Sequence, residues 1–95
     1  MNHQKVIVRC ARSGVFYGEI KEQKGSEVVM TNARCLWYWQ GAASLLQLAL
    51  EGVTDPLECK FTVYVPEIAL IDAIEIIPCT DEAVQSIEGV KEWRR

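Results

Sequence analysis

The run Glu27-Val28-Val29-Met30-Thr31-Asn32-Ala33-Arg34-Cys35-Leu36-Trp37-Tyr38-Trp39, followed at once by Gln40-Gly41-Ala42-Ala43-Ser44-Leu45, decides how this chain reads. Its first part is rich in the β-branched and aromatic residues that suit a pleated, half-buried surface. Two strands are expected, Glu27–Thr31 and Cys35–Trp39, with a bend at Asn32-Ala33-Arg34 between them. The period of two puts Trp37 and Trp39 on one face and Tyr38 on the other. Gly41 breaks that pattern. From there Ala42, Leu45, Leu46 and Ala49 recur at i, i+3, i+4 and i+7, the stripe of an amphipathic helix. Gly52 is placed to end that helix as its C′ residue.

Strands also precede this run. Lys5–Cys10 alternates, with Val6, Val8 and Cys10 on one face and Ile7 and Arg9 on the other. Ser13-Gly14 is a turn signal, and Val15–Lys21 is a second strand in which Gly18 marks a bulge or a close backbone approach. Lys24-Gly25-Ser26 is a polar turn. Downstream, Thr54-Asp55-Pro56 opens a loop, Lys60–Val65 alternates, and Pro66 interrupts that strand or marks its edge. Ile68–Ile77 reads as a long strand or a bulged pair. Thr80 is a good N-cap, Asp81 and Glu82 suit a first helical turn, and Ala83, Val84, Ile87 and Val90 give the helix an apolar face. Trp93-Arg94-Arg95 reads as a loosely held tail. The expectation is one α+β domain over residues 1–95: a strongly bent antiparallel sheet or small β-barrel, with one central helix and one C-terminal helix.

At 95 residues and 49% apolar, the chain carries more apolar surface than so small an interior can hide. That favours a homo-oligomer. A net charge of −3 argues against a duplex nucleic-acid binder and leaves room for a small anionic ligand. Met1-Asn2-His3-Gln4-Lys5 runs directly into a strand, which is not the pattern of a signal peptide. No apolar run reaches the roughly 20 residues of a membrane span, so a cytoplasmic protein with no membrane partner is expected. Cys10, Cys35, Cys59 and Cys79 form no C-x-x-C pair, and the only histidine is His3 at the frayed start. Four reduced thiols and no metal site are expected.

Little in the chain points to catalysis: it has no nucleophile elbow, P-loop or well-placed histidine, and Glu67, Asp72 and Glu75 read as a solvated face. A non-enzymatic binder without a cofactor is expected. The candidate site is the opening segment. Trp37 and Trp39 offer a stacking face, and Gln40, Gly41, Ala42, Ala43 and Ser44 open a helix whose first amides are approachable by an anion. Arg9, Arg12 or Arg34 can supply a bidentate phosphate contact. The same residues admit a plainer reading, in which the tryptophans are core and the small residues let the helix pack closely on the sheet. Arg9-Cys10-Ala11-Arg12-Ser13-Gly14 can form an anion nest or a solvated hairpin. Cys35 beside Arg34 lacks a histidine to make it a reactive thiol.

Four stretches, Ser13-Gly14-Val15-Phe16-Tyr17-Gly18, Glu27 to Arg34, the block W-Y-W-x-G-A-A-S-L from Trp37 to Leu45, and Ala73-Ile74-Glu75-Ile76-Ile77-Pro78-Cys79-Thr80, resemble a small uncharacterised domain family encoded mainly by tailed phages and prophages. The resemblance covers nearly the whole chain and brings no catalytic motif with it. It implies a phage accessory protein acting in a bacterial cytoplasm. By analogy of class with oligomeric phage sponges, it implies anti-defence sequestration of a nucleotide-derived immune signal, of cyclic dinucleotide or cyclic ADP-ribose type. The alternatives are a protein-interaction module that blocks a host protein, with Trp37 to Trp39 as its hot spot, and a structural phage component.

Overall fold

Three strands come first in the computed structural model, which describes residues 4–95: β1 (Lys5–Cys10), β2 (Val15–Lys24) and β3 (Glu27–Tyr38). His3 and the start before it lie outside the described residues. Helix α1 (Leu45–Glu51) and a 3-10 turn (Pro56–Glu58) lead to the short β4 (Lys60–Phe61), then β5 (Val65–Leu70), β6 (Ala73–Pro78) and helix α2 (Asp81–Glu88). All strand pairs are antiparallel. The sheet runs β4-β3-β2-β1-β6, and β5 pairs with the first half of β3 on the edge that β4 takes further along.

The connection between β5 and β6 dictates the sheet's shape. Leu70 lies opposite Val28 on β3, and Ala73 lies opposite Cys10 on β1. In a flat sheet these edges would stand four strand spacings apart, about 19 Å. Three Cα steps span at most about 11 Å. The sheet therefore has to roll, and the Ile71-Asp72 link bridges its two edges. The Ala73 amide donates to Ser26 O at 3.1 Å, so the tip of the β2–β3 hairpin also curls over to this end. Because β5 and β6 do not pair with each other, the sheet is a strongly bent open one and not a closed barrel.

Rolling creates two apolar layers. Inside the roll lie Val6, Val8, Cys10, Val28, Met30, Ala33 and Leu70. On the outer face Ile7, Tyr17, Leu36 and Phe61 pack under the helices against Leu48, Ala49, Ala83 and Ile87. The alternation expected of β1 is the one found. Tyr17 is fully buried; its hydroxyl donates to Glu88 Oε2 at 2.6 Å, and Lys5 pairs with Glu19 at 2.8 Å and Glu88 at 3.5 Å. Burial and that carboxylate both raise the pKa of the phenol.

Several expected boundaries move. Glu27–Thr31 and Cys35–Trp39 are one strand, β3, and the bend is Asn32 in a left-handed conformation at φ 48° where the register with β2 shifts. Asparagine is among the few side chains that tolerate this region. Opposite the shift sits Gly18, where a Cβ would stand 3.0 Å from Ala33 Cα and from Thr31 O. The run Ile68–Ile77 splits at Ile71-Asp72 into the end of β5 and most of β6, and Pro66 lies within β5, an edge strand. The central helix begins at Leu45, later than the apolar stripe suggested. Ser44 is its N-cap and accepts the Gln47 amide at 3.1 Å, while Gln47 Oε1 accepts the Ala43 amide at 2.8 Å. Ser44-Leu45-Leu46-Gln47 is thus close to a capping box.

Candidate functional site

Arg34 is the expected site residue that the structure relocates most. It is 1% exposed. Its Nε donates to Thr62 O at 3.0 Å, Nη1 to Ile87 O at 3.0 Å and Val90 O at 3.1 Å, and Nη2 to Phe61 O at 3.3 Å. The guanidinium lies over the rings of Tyr64, at 4.6 Å, and Phe61, at 5.5 Å. Ile87 O and Val90 O belong to the end of α2, where carbonyls lack intrahelical partners and the helix dipole is negative. Arg34 is a buried staple joining β3, the β4–β5 connection and α2; its donors are turned inward rather than toward an external phosphate.

Gln40, Gly41, Ala42, Ala43 and Ser44 form an irregular, bent connection before α1, not its first turn. Gly41, at φ 91°, is pressed so closely on Thr54 that a Cβ would lie 2.5 Å from the Thr54 nitrogen. Backbone packing thus requires glycine at position 41, whereas Ala43 and Ser44 are exposed. Trp39 packs against the outer core, so Trp37 and Trp39 do not share a face: β3 ends at Tyr38, and the alternation ends with it.

The turn after β1 is an anion nest whose anion is internal. The Arg12 amide donates to Asp72 Oδ2 at 2.7 Å, the Ser13 amide to the same oxygen at 3.1 Å, and Ser13 Oγ to Oδ1 at 2.8 Å. The Ser13 hydroxyl and these amides hold the Asp72 carboxyl below its ordinary range. Arg9 is paired with Glu75, and the Arg12 side chain is exposed. Asp72, read as a solvated acid, instead fastens the β5–β6 link to the β1–β2 turn.

One cluster remains open to solvent. Trp37 is 61% exposed and stacks on Trp93 with ring centroids 5.1 Å apart and planes inclined by 17°. Lys60 Nζ lies 5.5 Å from the Trp37 centroid, 5.6 Å from Trp93 and 6.0 Å from Tyr38. Tyr38 OH accepts a hydrogen bond from Gln40 Nε2. Trp93 is not part of a loose tail: its amide donates to Phe61 O at 2.8 Å, and Glu92 forms a parallel bridge with Phe61. Beside it runs a cleft of about 310 Å³, lined by Pro56, Leu57, Cys59, Lys91 and Trp93 among others. Among the described residues neither Lys60 nor Lys91 has a carboxylate within ion-pair distance. Of the expected site residues, then, Trp37 lies in this open cluster with Lys60 and Trp93, and Gln40 reaches it only through Tyr38.

All four cysteines are free. Burial pushes the Cys10 and Cys79 thiols up to about 11, the first helped by Asp72 and Cys35. Alkylation of the folded protein near pH 8 should therefore be slow at both. Denaturation without reductant should then give four adducts by intact mass; two missing adducts would reveal a disulfide. Among the described residues no group of three or more His, Cys, Asp or Glu side chains could hold a metal ion, and no helix is long and apolar enough to cross a membrane.

A family model described as a domain of unknown function (DUF6948) matches residues 3–87, a segment that contains Trp37 and Lys60 and ends before Trp93. No curated protein and no solved structure matches the chain.

Proposed function

Because the chain belongs to the DUF6948 family of domains of unknown function, we propose its role from its own surface: a non-enzymatic binding protein that takes a nucleotide-derived ligand on the Trp37–Trp93 pair. The observation that carries this reading is a tryptophan left 61% exposed beside an ammonium that has no carboxylate partner among the described residues. An open indole stacks on any nucleobase, contributing about 1–3 kcal/mol per base. Lys60 supplies the charge that a phosphate needs. The finer reading follows the resemblance: a phage-encoded protein of the bacterial cytoplasm that sequesters a nucleotide immune signal and so blunts defence. Sequestration needs affinity and stoichiometry, not turnover. Exposed Leu46, Leu50, Ile71 and Ile74 support a homo-oligomeric state for such a sponge.

A second reading is favoured by Leu57, which is 94% exposed at the cleft beside Trp93. A leucine and two tryptophans side by side also suit a protein-interaction hot spot. The two readings separate in a thermal-shift and fluorescence titration against a nucleotide panel. A nucleotide binder should be stabilised by mass action and show quenched indole emission. Trp37→Ala should weaken binding on the order of 10-fold or more while lowering the melting temperature of the free protein by only about a few degrees, the loss of one largely exposed aromatic stack. If no nucleotide stabilises the wild-type protein at millimolar concentration, the nucleotide reading is wrong.

A further inference from the structure

The position of Lys60 says more about the ligand. Its Nζ is 5.5 Å from one indole centroid and 5.6 Å from the other, while the two centroids are 5.1 Å apart. A group above the outer face of either ring would be much farther from one centroid than from the other. Lys60 therefore stands beside the stack, near its mid-plane, and covers neither outer face. The outer face of Trp37 belongs to a side chain that is mostly in solvent. Trp93 lines the cleft with Leu57 and Lys91, whereas Trp37 does not, so Trp93 offers the cleft surface beyond its contact with Trp37. The pair thus offers two stacking faces, with a cation midway between them and a second cation, Lys91, beside the cleft.

From this arrangement we infer that the ligand carries two aromatic bases joined through phosphate: a free dinucleotide that straddles the pair, with one base on Trp37, the other in the cleft against Trp93, and the linking phosphate at Lys60. This rests on the nucleotide reading above and narrows it. Two rings on the outer faces would stand three contact layers apart, roughly 10–12 Å. An unstacked dinucleotide spans that distance, and a mononucleotide, with one ring, does not. The cleft volume of about 310 Å³ accommodates a base and part of its sugar.

The test is calorimetric titration of the wild-type protein with AMP and GMP, with the linear dinucleotides pApA and pGpG, and with hexaadenylate. At least one dinucleotide should bind 10- to 100-fold tighter than its own mononucleotide, the gain from a second stacked base. Leu57→Asp puts a negative charge at the cleft from a side chain that is almost wholly exposed, so folding is not at risk. It should remove the dinucleotide's advantage and leave mononucleotide affinity within about 2-fold. If a mononucleotide binds and no dinucleotide binds tighter, the two-face inference is overturned while the nucleotide reading stands. If neither binds, both fall. If hexaadenylate binds a further 10-fold tighter than pApA, the ligand is a single strand and the free dinucleotide is overturned.

Discussion

Arg34→Met is expected to cost about 3–5 kcal/mol of stability, because hydrogen bonds made by a charged group contribute about 1.5–3 kcal/mol each and do not simply add. Such a loss is a large part of the 5–15 kcal/mol that holds a typical domain. Methionine keeps the bulk and removes all the donors. The carbonyls of Phe61, Thr62, Ile87 and Val90 would lose a partner together. Phe61 O keeps the Trp93 amide and Ile87 O the Val90 amide, so the cost of an unsatisfied buried acceptor, about 1–3 kcal/mol, falls on Thr62 O and Val90 O. Arg34→Lys should recover only part of the loss. An ammonium has three donors from one point and cannot span carbonyls that approach a planar fork from β4, its following loop and the end of α2. Urea denaturation followed by far-UV circular dichroism checks both. A phosphate-binding Arg34 makes the opposite forecast, with stability unchanged and ligand affinity reduced. A midpoint shift smaller than that produced by a surface substitution would overturn the staple.

The second large effect is expected at Gly52, where α1 ends. Its φ of 78° and ψ of −152° lie in a region essentially reserved for glycine. A Cβ there would stand 2.2 Å from Ser86 Cβ on α2. Ser86 cannot yield freely, because its Oγ accepts the Val53 amide at 2.9 Å and donates to Val53 O at 3.2 Å. Backbone strain and overpacking each contribute about 1–3 kcal/mol, so Gly52→Ala should cost about 3 kcal/mol or more. Gly25→Ala is the control. Gly25 also has a positive φ, 60°, but nothing lies within 4 Å of its would-be Cβ, and it should lose only about 1 kcal/mol. Ser86→Ala should not rescue Gly52→Ala, since it leaves the Cβ contact in place. Equal melting temperatures for the two glycine variants would show that the α1–α2 approach is looser than described.

What could be read in advance followed from local chemistry. Thr80 caps α2 by accepting the Ala83 amide, Gly52 closes α1, Gly18 meets a neighbouring backbone, and β1 alternates as its pattern says. The bend at Asn32 was visible, but not that the ladder continues through it, because a bulge is defined by its partner strand. The start of α1 was legible in principle: Ser44 and Gln47 have capping-box spacing, which the apolar stripe from Ala42 obscured. The site was less legible. Arginine is rarely buried, and nothing beside Arg34 signals the carbonyls it meets, which come from residues 27 to 56 positions away. Trp93 reads as tail until the bridge between Phe61 and Glu92 carries it onto Trp37. Lys60 matters only because β4 seats it beside that pair.

The link at Ile71-Asp72 also sets an order of events during synthesis. β1 leaves the ribosome before the other described strands, yet one of its two edges is completed only by β6, with Val6 opposite Pro78. Until that late strand emerges, the growing chain exposes an unpaired edge and the apolar lining of an unfinished roll. Pairings so distant in sequence form slowly, because the loop must close before any contact rewards it. Everything from β1 through β6 must therefore be translated before the domain can close, and the nascent chain spends that interval with a surface that other chains, or a chaperone, can occupy.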